Sequence, residues 1–524
     1  MRSKSSMSST AIAFFVALAI PLGLAAQSNQ DHSNKTHHHY QLIDMGTFGG
    51  PNSGVPTVFD EINGTAGAQA ISDAGAITGT ADTSIADPLC YFDDCFYPNG
   101  FQLENGAVTN LGALPGGFWS FVAWTSRNGL VTGFSENGET DPLTDLPLVH
   151  GVLWHKTQIT DLGTLSGGFQ SFGQAVNNAG LAVGLATNGT SDPYSYLYSQ
   201  ILGISTGTQS RAFLWSQQDG MQDLGTLGGP DAWAAFVNKQ GEVAGISYTS
   251  ATANADNGPS CPPNVPSQDP FFWEKGTGMI DVGSFGGTCA VPQAFNNRGQ
   301  LVGQSYLAGN ATAHAFLWDK RSKTQLKDLG TLGGDNAAAL WIDDAGDVVG
   351  YADLYNPGGC NGLPCVHHGF LWRNGVMTDL GTIGTDPCSR ALSVNARGQV
   401  VGATAAICGG NLTRGFLWEN GGPAVDLNSL VSTNEFALAQ PVYINDRGEI
   451  AVTGTLANGD THAILLVPCD EGHPGGGGCD YSLVGVSAAN SVAATPRELS
   501  RRVPPATLRQ HNNRFRFPIL GSSN

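Results

Sequence analysis

Between residues 40 and 468 the apolar positions fall in short runs, each about the length of one strand, cut by polar turns that carry glycine. Four runs make a unit. In one unit they read "QAFNNRG", "GQLVGQS", "HAFLW" and "LKDLG". The first and second are joined by an Asn-x-x-Gly turn, seen from Asn177 to Gly180, Asn296 to Gly299, Asn395 to Gly398 and Asn445 to Gly448. Glycine at the fourth place can take the positive φ that closes a short hairpin with a bulge. The third and fourth runs are joined by short polar turns such as "RNG" at 373 to 375. Four strands linked mainly by hairpins make one small antiparallel sheet.

The fourth run recurs at Asp44, Asn110, Asp161, Asp223, Asp281, Asp328, Asp379 and Asp426, a mean period of about 55 residues, within the range of solenoids and propellers. The intervals range from 47 residues (Asp281 to Asp328) to 66 (Asp44 to Asn110). Such variation suits a closed set of sheets with variable loops better than a solenoid of constant rise. The ends of the repeat region decide the matter. It opens at "YQLIDMG", a fourth-type strand lacking a third, and closes at "HAILLVPC", a third-type strand lacking a fourth. Pairing the two completes an eighth sheet and removes an exposed edge. The expectation is an all-β fold: an eight-bladed β-propeller of four-stranded antiparallel blades, closed by pairing the N-terminal strand with the last repeat. First runs lie innermost, where Ala68, Ala175, Ala294 and Ala391 suit a crowded axis. An extended stack of sheets is the competing architecture.

The phrases "HAFLW" and "DLGTLGG" resemble those of the HAF-repeat family of probable extracellular bacterial proteins, over roughly residues 40 to 467. The first unit departs with "NGFQL" and the last with "DLNSL". The resemblance implies export and a repeat fold; it brings no reaction, substrate or catalytic residue with it.

Composition agrees with that picture. Glycine accounts for 71 of the 524 residues, charged residues for 13% and apolar residues for 41%, enough apolar content for a core. The N-terminus reads as a secretory signal over 1–26: Arg2 and Lys4, then "AIAFFVALAIPLGLAA", then small residues for cleavage. A flexible leader at 27–39 precedes the propeller at 40–468, a Cys-Gly-rich extension at 469–483 and a basic, disordered tail at 484–524. No stretch after the signal is apolar enough to cross a bilayer. Export puts ten cysteines in an oxidising compartment, where disulfides are expected rather than metal ligation. Neighbour pairing gives Cys90–Cys95, Cys261–Cys289, Cys360–Cys365, Cys388–Cys408 and Cys469–Cys479, although spacing alone does not determine connectivity.

Candidate chemistry lies on loops. In such a blade the second-to-third loops and the blade-to-blade links share one face, and they carry most of the length variation and every cysteine of the repeats. Loops on a rigid scaffold are the usual place for binding. Trp119, Phe169 and Trp233 follow the Gly-Gly links near the mouth of the axis, and Tyr194 and Tyr196 lie on a long loop. Aromatic faces with hydrogen-bonding acids suit sugars, against the plainer reading that these rings pack beneath the loops. His150, His314, His368 and His462 occupy a slot that elsewhere holds Arg211, Arg414 and Pro270, so a strand-edge donor is expected there rather than a general base or ligand. The repeated Asp of "DLG" reads as a strand-end acceptor. The string from Asp343 to Asp347 lacks the spacing of an EF-hand loop, and His37, His38 and His39 sit in the leader. Glu136, Glu139 and Asp141 are the acids from which a glycosidase pair would be assembled.

The net charge of −19 argues against a nucleic-acid partner, while six arginines between 497 and 516 form a basic tail for the protein's own acidic body or an anionic envelope polymer. The reading is a secreted or cell-envelope binding propeller, monomeric and without cofactor, whose long-loop face takes a glycan or cell-envelope component. A glycan-active hydrolase or lyase and a purely structural extracellular repeat protein are the alternatives.

Overall fold

In the computed structural model, residues 39–469 are described apart from 57–67, 89, 91, 93, 105, 144, 193–206, 256–263, 323–324 and 357–364. The expected signal, leader and basic tail lie outside the described residues, as do Tyr194 and Tyr196.

Among the described residues, thirty-two strands form eight four-stranded antiparallel blades. The third blade shows the plan: inner strand Ser171–Val176, second strand Ala182–Ser191, third strand Thr208–Ser216 and outer strand Gly220–Asp223. Blades four and five share one hydrogen-bonded sheet only through a single parallel bridge, Gln268 to Cys289. The eighth blade is made from both ends of the repeat region. Tyr40–Asp44 pairs antiparallel with Thr461–Pro468, in register from Tyr40 opposite Pro468 to Asp44 opposite Ile464. The chain is a closed eight-bladed β-propeller, and the offset of the two terminal runs is the closure.

The recurring phrase is the outer half of each blade. Asp161 Oδ1 accepts from the Gly163 amide at 2.7 Å, and the same Asx turn forms from Asp44, Asn110, Asp223, Asp281, Asp328, Asp379 and Asp426. The "HAF" slot supplies the partner across the strand pair: His150 with Asp161, His314 with Asp328, His368 with Asp379, His462 with Asp44 and Arg211 with Asp223. An imidazole or a guanidinium serves equally there, so the slot tolerates exchange between His and Arg.

Inner strands share a second device. Seven carry a register shift at one height, for example between Gly173 and Ala175 opposite the second strand. The bulge brings the inner strand so near its neighbour that a Cβ at Gly184 would overlap the carbonyl oxygen of Phe172. This close approach explains the glycine retained at Gly133, Gly184, Gly245, Gly303, Gly350 and Gly402.

Small residues fill only half of the axis. Two residues before each first-to-second turn the blades carry, in order, Ala70, Trp124, Ala175, Phe236, Ala294, Trp341, Ser393 and Tyr443. Small and large alternate without a break. Trp124 and Trp341, from diametrically opposed blades, stack across the axis with centroids 6.1 Å apart; Phe236 packs edge-on to Trp124 and Tyr443 edge-on to Trp341. Eight large rings would not fit at one level and eight small residues would leave a hole, so alternation fills the bore.

Candidate functional site

The eight first-to-second turns form a belt around the axis. Asn177 illustrates the unit: its Oδ1 accepts from the amides of Ala179 and Leu181, and its Nδ2 donates to the carbonyl of Asn238 in the next blade at 2.9 Å. Asn296 donates likewise to Asp343 and Asn395 to Asn445. Asparagine recurs because only an amide both closes its own turn and donates to its neighbour. The fourth residue of each turn is glycine in the left-handed region, with φ between 75° and 92°.

The second residue of each turn forms the rim: Asp73, Arg127, Asn178, Lys239, Asn297, Asp344, Ala396 and Asp446. Below it lies a cavity of about 200 Å³, floored by Trp124, Trp341 and Tyr443 and open on the short-turn face. Arg127 leans across this bowl. Its guanidinium lies 3.4 Å from Asp344, 3.8 Å from Asp446 and 3.9 Å from Asp73. Burial alone would lower its pKa; Tyr443 and the three carboxylates reverse that and hold it above the ordinary arginine value. Burial raises Asp73 despite Arg127, with Asp446 and Asp344 adding like-charge repulsion, and burial pushes the Tyr443 phenol up as well. Burial also moves Asp343 up to about 6. It belongs to the string from Asp343 to Asp347, which forms an ordinary turn: Asp343 Oδ1 accepts from the Asp347 amide at 2.8 Å, and Asp347 pairs with Arg373.

The opposite, long-loop face differs from the expectation placed on it. Trp119 is 5% exposed and Trp233 7% exposed. Both belong to a core cluster with Phe92, Phe172, Tyr248 and Tyr306, and Phe92 meets Trp119 edge-on. Neither indole offers a face to a ligand; the links turn these rings inward because the aromatic surface is worth more in contact than in water. Phe169 is half-buried. Glu136 accepts from the Phe118 amide and Asp141 from Leu143 and Gln170, so both brace loops, while Glu139 is exposed.

Disulfides join Cys90 to Cys95 and Cys388 to Cys408, with Cα–Cα separations of 4.3 and 5.4 Å. Cys289, Cys365 and Cys469 are also disulfide-bonded, while the expected partners Cys261, Cys360 and Cys479 lie outside the described residues. His367 stands beside the Cys388 and Cys408 sulfurs, but both sulfurs are committed to the bridge, which leaves no thiolate for a metal. Burial, and then Arg390, holds the His367 imidazole down at about 4.

A carboxyl pair, Asp82 buried and Asp94 half-buried, marks the first blade on this face. Asn52 donates its amide to Asp82 and its Nδ2 to Asp94, both at 2.8 Å, and its Oδ1 accepts from Thr461 of the closing blade. Burial first, then the hydrogen bond and charge of Asp94, push Asp82 up to about 8. A carboxyl raised in the folded state stabilises the fold fully below its unfolded pKa and loses that contribution as pH rises from about 4 through about 8. Asp82→Asn mimics the protonated group. The variant is expected to match wild type at pH 4 and to gain several kcal/mol, up to about 5, at pH 9, read as a Tm higher by a few degrees. A variant that melts lower than wild type at pH 9 would show that the carboxylate, not the acid, is the native form.

Loop length and aromatic content pointed to the long-loop face. The bowl residues Trp124, Arg127, Lys239, Trp341, Tyr443 and Asp446 were missed, and Asp344 was weighed only as part of the string from Asp343 to Asp347, because each sits in or beside a turn that reads as mere punctuation. The signal that would have found them is the large–small alternation ahead of those turns. Among solved structures, the chain is similar to the Dos1 propeller at 9% identity, covering 79% of this chain and 95% of that one, with a TM-score of 0.38. It is similar to the β-propeller domain of the Trilobed protease from Pyrococcus furiosus at 9% identity, covering 56% and 82%, TM-score 0.34. A gluconolactonase from Xanthomonas campestris matches at 10% identity, covering 79% and 97%, TM-score 0.26. Likenesses this distant carry no argument about activity. No family model matches the chain, and no curated protein does.

Proposed function

We propose that the protein is an extracytoplasmic binding propeller of the HAF-repeat type, whose ligand is a glycan or cell-envelope component seated in the axial bowl. The observation that supports this reading is the bowl itself: a rigid concavity with an indole and phenol floor and a rim of amides and charges. A pyranose offers C–H faces to such a floor and hydroxyls to such a rim. At about 200 Å³ the bowl is smaller than the roughly 300 Å³ lower bound of drug-sized sites, so it suits a single sugar residue, such as the end of a longer glycan. The disulfides and the signal-like N-terminus support export.

The test is a screen of the full-length, oxidised protein against a glycan array and isolated envelope polysaccharide, repeated with Lys239→Ala/Asn297→Ala. Both side chains stand on the rim, so the fold should survive their loss. Binding that falls at least tenfold in the double variant supports the bowl as the seat. Binding unchanged by it, or absent from every glycan and polysaccharide, overturns the reading. Trp119 and Trp233 are the wrong probes, since replacing either empties core and lowers stability whatever the ligand.

A further inference from the structure

We infer that the axial bowl selects a ligand bearing a protonated amine, with Asp344 and Asp446, which line it, as the residues that set this preference and Asp73 adding negative charge beside Arg127. The inference rests on the bowl being the ligand seat and adds the charge class of the ligand.

The charge balance within the bowl motivates it. Among the rim residues, Asp73, Asp344 and Asp446 share Arg127 as ion-pair partner, none closer than 3.4 Å, while neutral amides of the neighbouring turns also donate to Asp344 (Asn297 N and Nδ2) and to Asp446 (Ala396 N), each at 2.9 Å. The amides are neutral, so one guanidinium shared at such distances balances only part of the charge of the three carboxylates. Lys239, the other cation of the rim, lines the cavity as well, so the three carboxylates face two cations and one formal negative charge is left over. Arg447, one turn position further out, is taken by Glu449 at 2.9 Å, and Arg373 and Lys320 by Asp347 and Glu242. Arg298 and Arg397 occupy that same outer position and do not line the cavity.

The floor adds to this. Trp124, Trp341 and Tyr443 line the same cavity as Asp344 and Asp446, and aromatic rings beside an acidic rim favour an organic cation over a neutral or anionic group of the same size. Arg127 shows the preference at work inside the molecule, since the chain already lays one of its own cations across the bowl. A ligand ammonium would sit beside that guanidinium, drawing on carboxylate charge that Arg127 leaves over. On a sugar-sized ring this means an amino sugar whose nitrogen is free rather than acylated.

Calorimetric titration of the full-length oxidised protein with glucosamine, glucose and N-acetylglucosamine tests the preference. Glucosamine should bind about tenfold or more tightly than either neutral sugar, a ratio typical of one charge-assisted contact in a semi-enclosed site. In Asp344→Asn/Asp446→Asn the glucosamine-to-glucose ratio should collapse toward one. In Arg127→Gln, which removes the internal competitor, glucosamine should bind more tightly than in wild type, by about fivefold or more. These opposite signs separate charge selection from general loosening, which would weaken binding in both variants. Equal affinity for the three sugars, or a preference for N-acetylglucosamine, overturns the amine inference while leaving the bowl as a sugar seat. Absence of binding by all three overturns the amine inference as well, and the rim double variant on the array then decides separately whether the bowl is a ligand seat.

Discussion

Deletion of the chain through Met45 is expected to open the propeller and to cost more stability than any single substitution. Tyr40–Asp44 is the outer strand of the eighth blade, and its five residues pair with Thr461–Pro468. Tyr40 is 2% and Met45 7% exposed, and they pack into separate core clusters with Leu466 and Leu465 respectively. Burying side chains of this size is worth about 1.5–3 kcal/mol each. With Leu42 and Ile43 partly buried beside them, the strand contributes on the order of 5 kcal/mol before its ladder hydrogen bonds are counted. Its loss also removes the His462–Asp44 pair and leaves the strand from Thr461 to Pro468 as an unpaired apolar edge, a template for aggregation. The expected result is a Tm lower by 10 °C or more, a broader transition and concentration-dependent association in ultracentrifugation. Adding the deleted strand back as a synthetic peptide should recover part of the loss. A truncated protein that melts like the parent would show that the eighth blade stands without its outer strand.

The second large effect is expected at the axis. Trp124→Ala removes one half of the cross-axis stack with Trp341 and an edge contact with Phe236. A ring truncated in a packed interior costs about 3–5 kcal/mol, and Trp124, half-buried at the floor of the bowl, should cost about 2–3 kcal/mol. The reverse change, Ala175→Trp, adds a ring at a level already filled by four others. Ala175 is 1% exposed, so overpacking of about 1–3 kcal/mol or more follows. The informative experiment combines them. If the bore has room for four rings in any arrangement, Ala175→Trp should be better tolerated in the Trp124→Ala background than in wild type, and thermal melts of the two single variants and the double variant would give a coupling energy of opposite sign to the single costs. Additive losses would mean that the bore accepts rings only from alternate blades.

Much of the architecture was legible along the chain. The four-run unit, the eight-fold recurrence of the Asp–Gly phrase and the complementary ends at "YQLIDMG" and "HAILLVPC" together contained the blade, the blade number and the closure. They were legible because strand pairing within a blade joins segments close in sequence, and because repetition multiplies a weak local signal eight times. The interchange of His and Arg ahead of "LW" likewise revealed a shared donor role, which the pairs with Asp161, Asp223, Asp328, Asp379 and Asp44 bear out.

What the tertiary structure alone decided is what meets at the axis. Trp124 and Trp341 are 217 residues apart, and so are Arg127 and Asp344. No local pattern says that blades two and six face each other across a closed ring; that follows only once eight wedges have closed. Closure also reassigned the aromatics. Trp119 and Trp233, candidate platforms beside the long loops, lie in the core, as the plainer reading of packing beneath the loops had it. Trp124, Trp341 and Tyr443, hidden ahead of short turns, became the floor of an open bowl. The sequence by itself determined the blade, its number and its seam, all of which depend on contacts between neighbouring segments; which residues share the centre depended on the radius and the order of the closed ring.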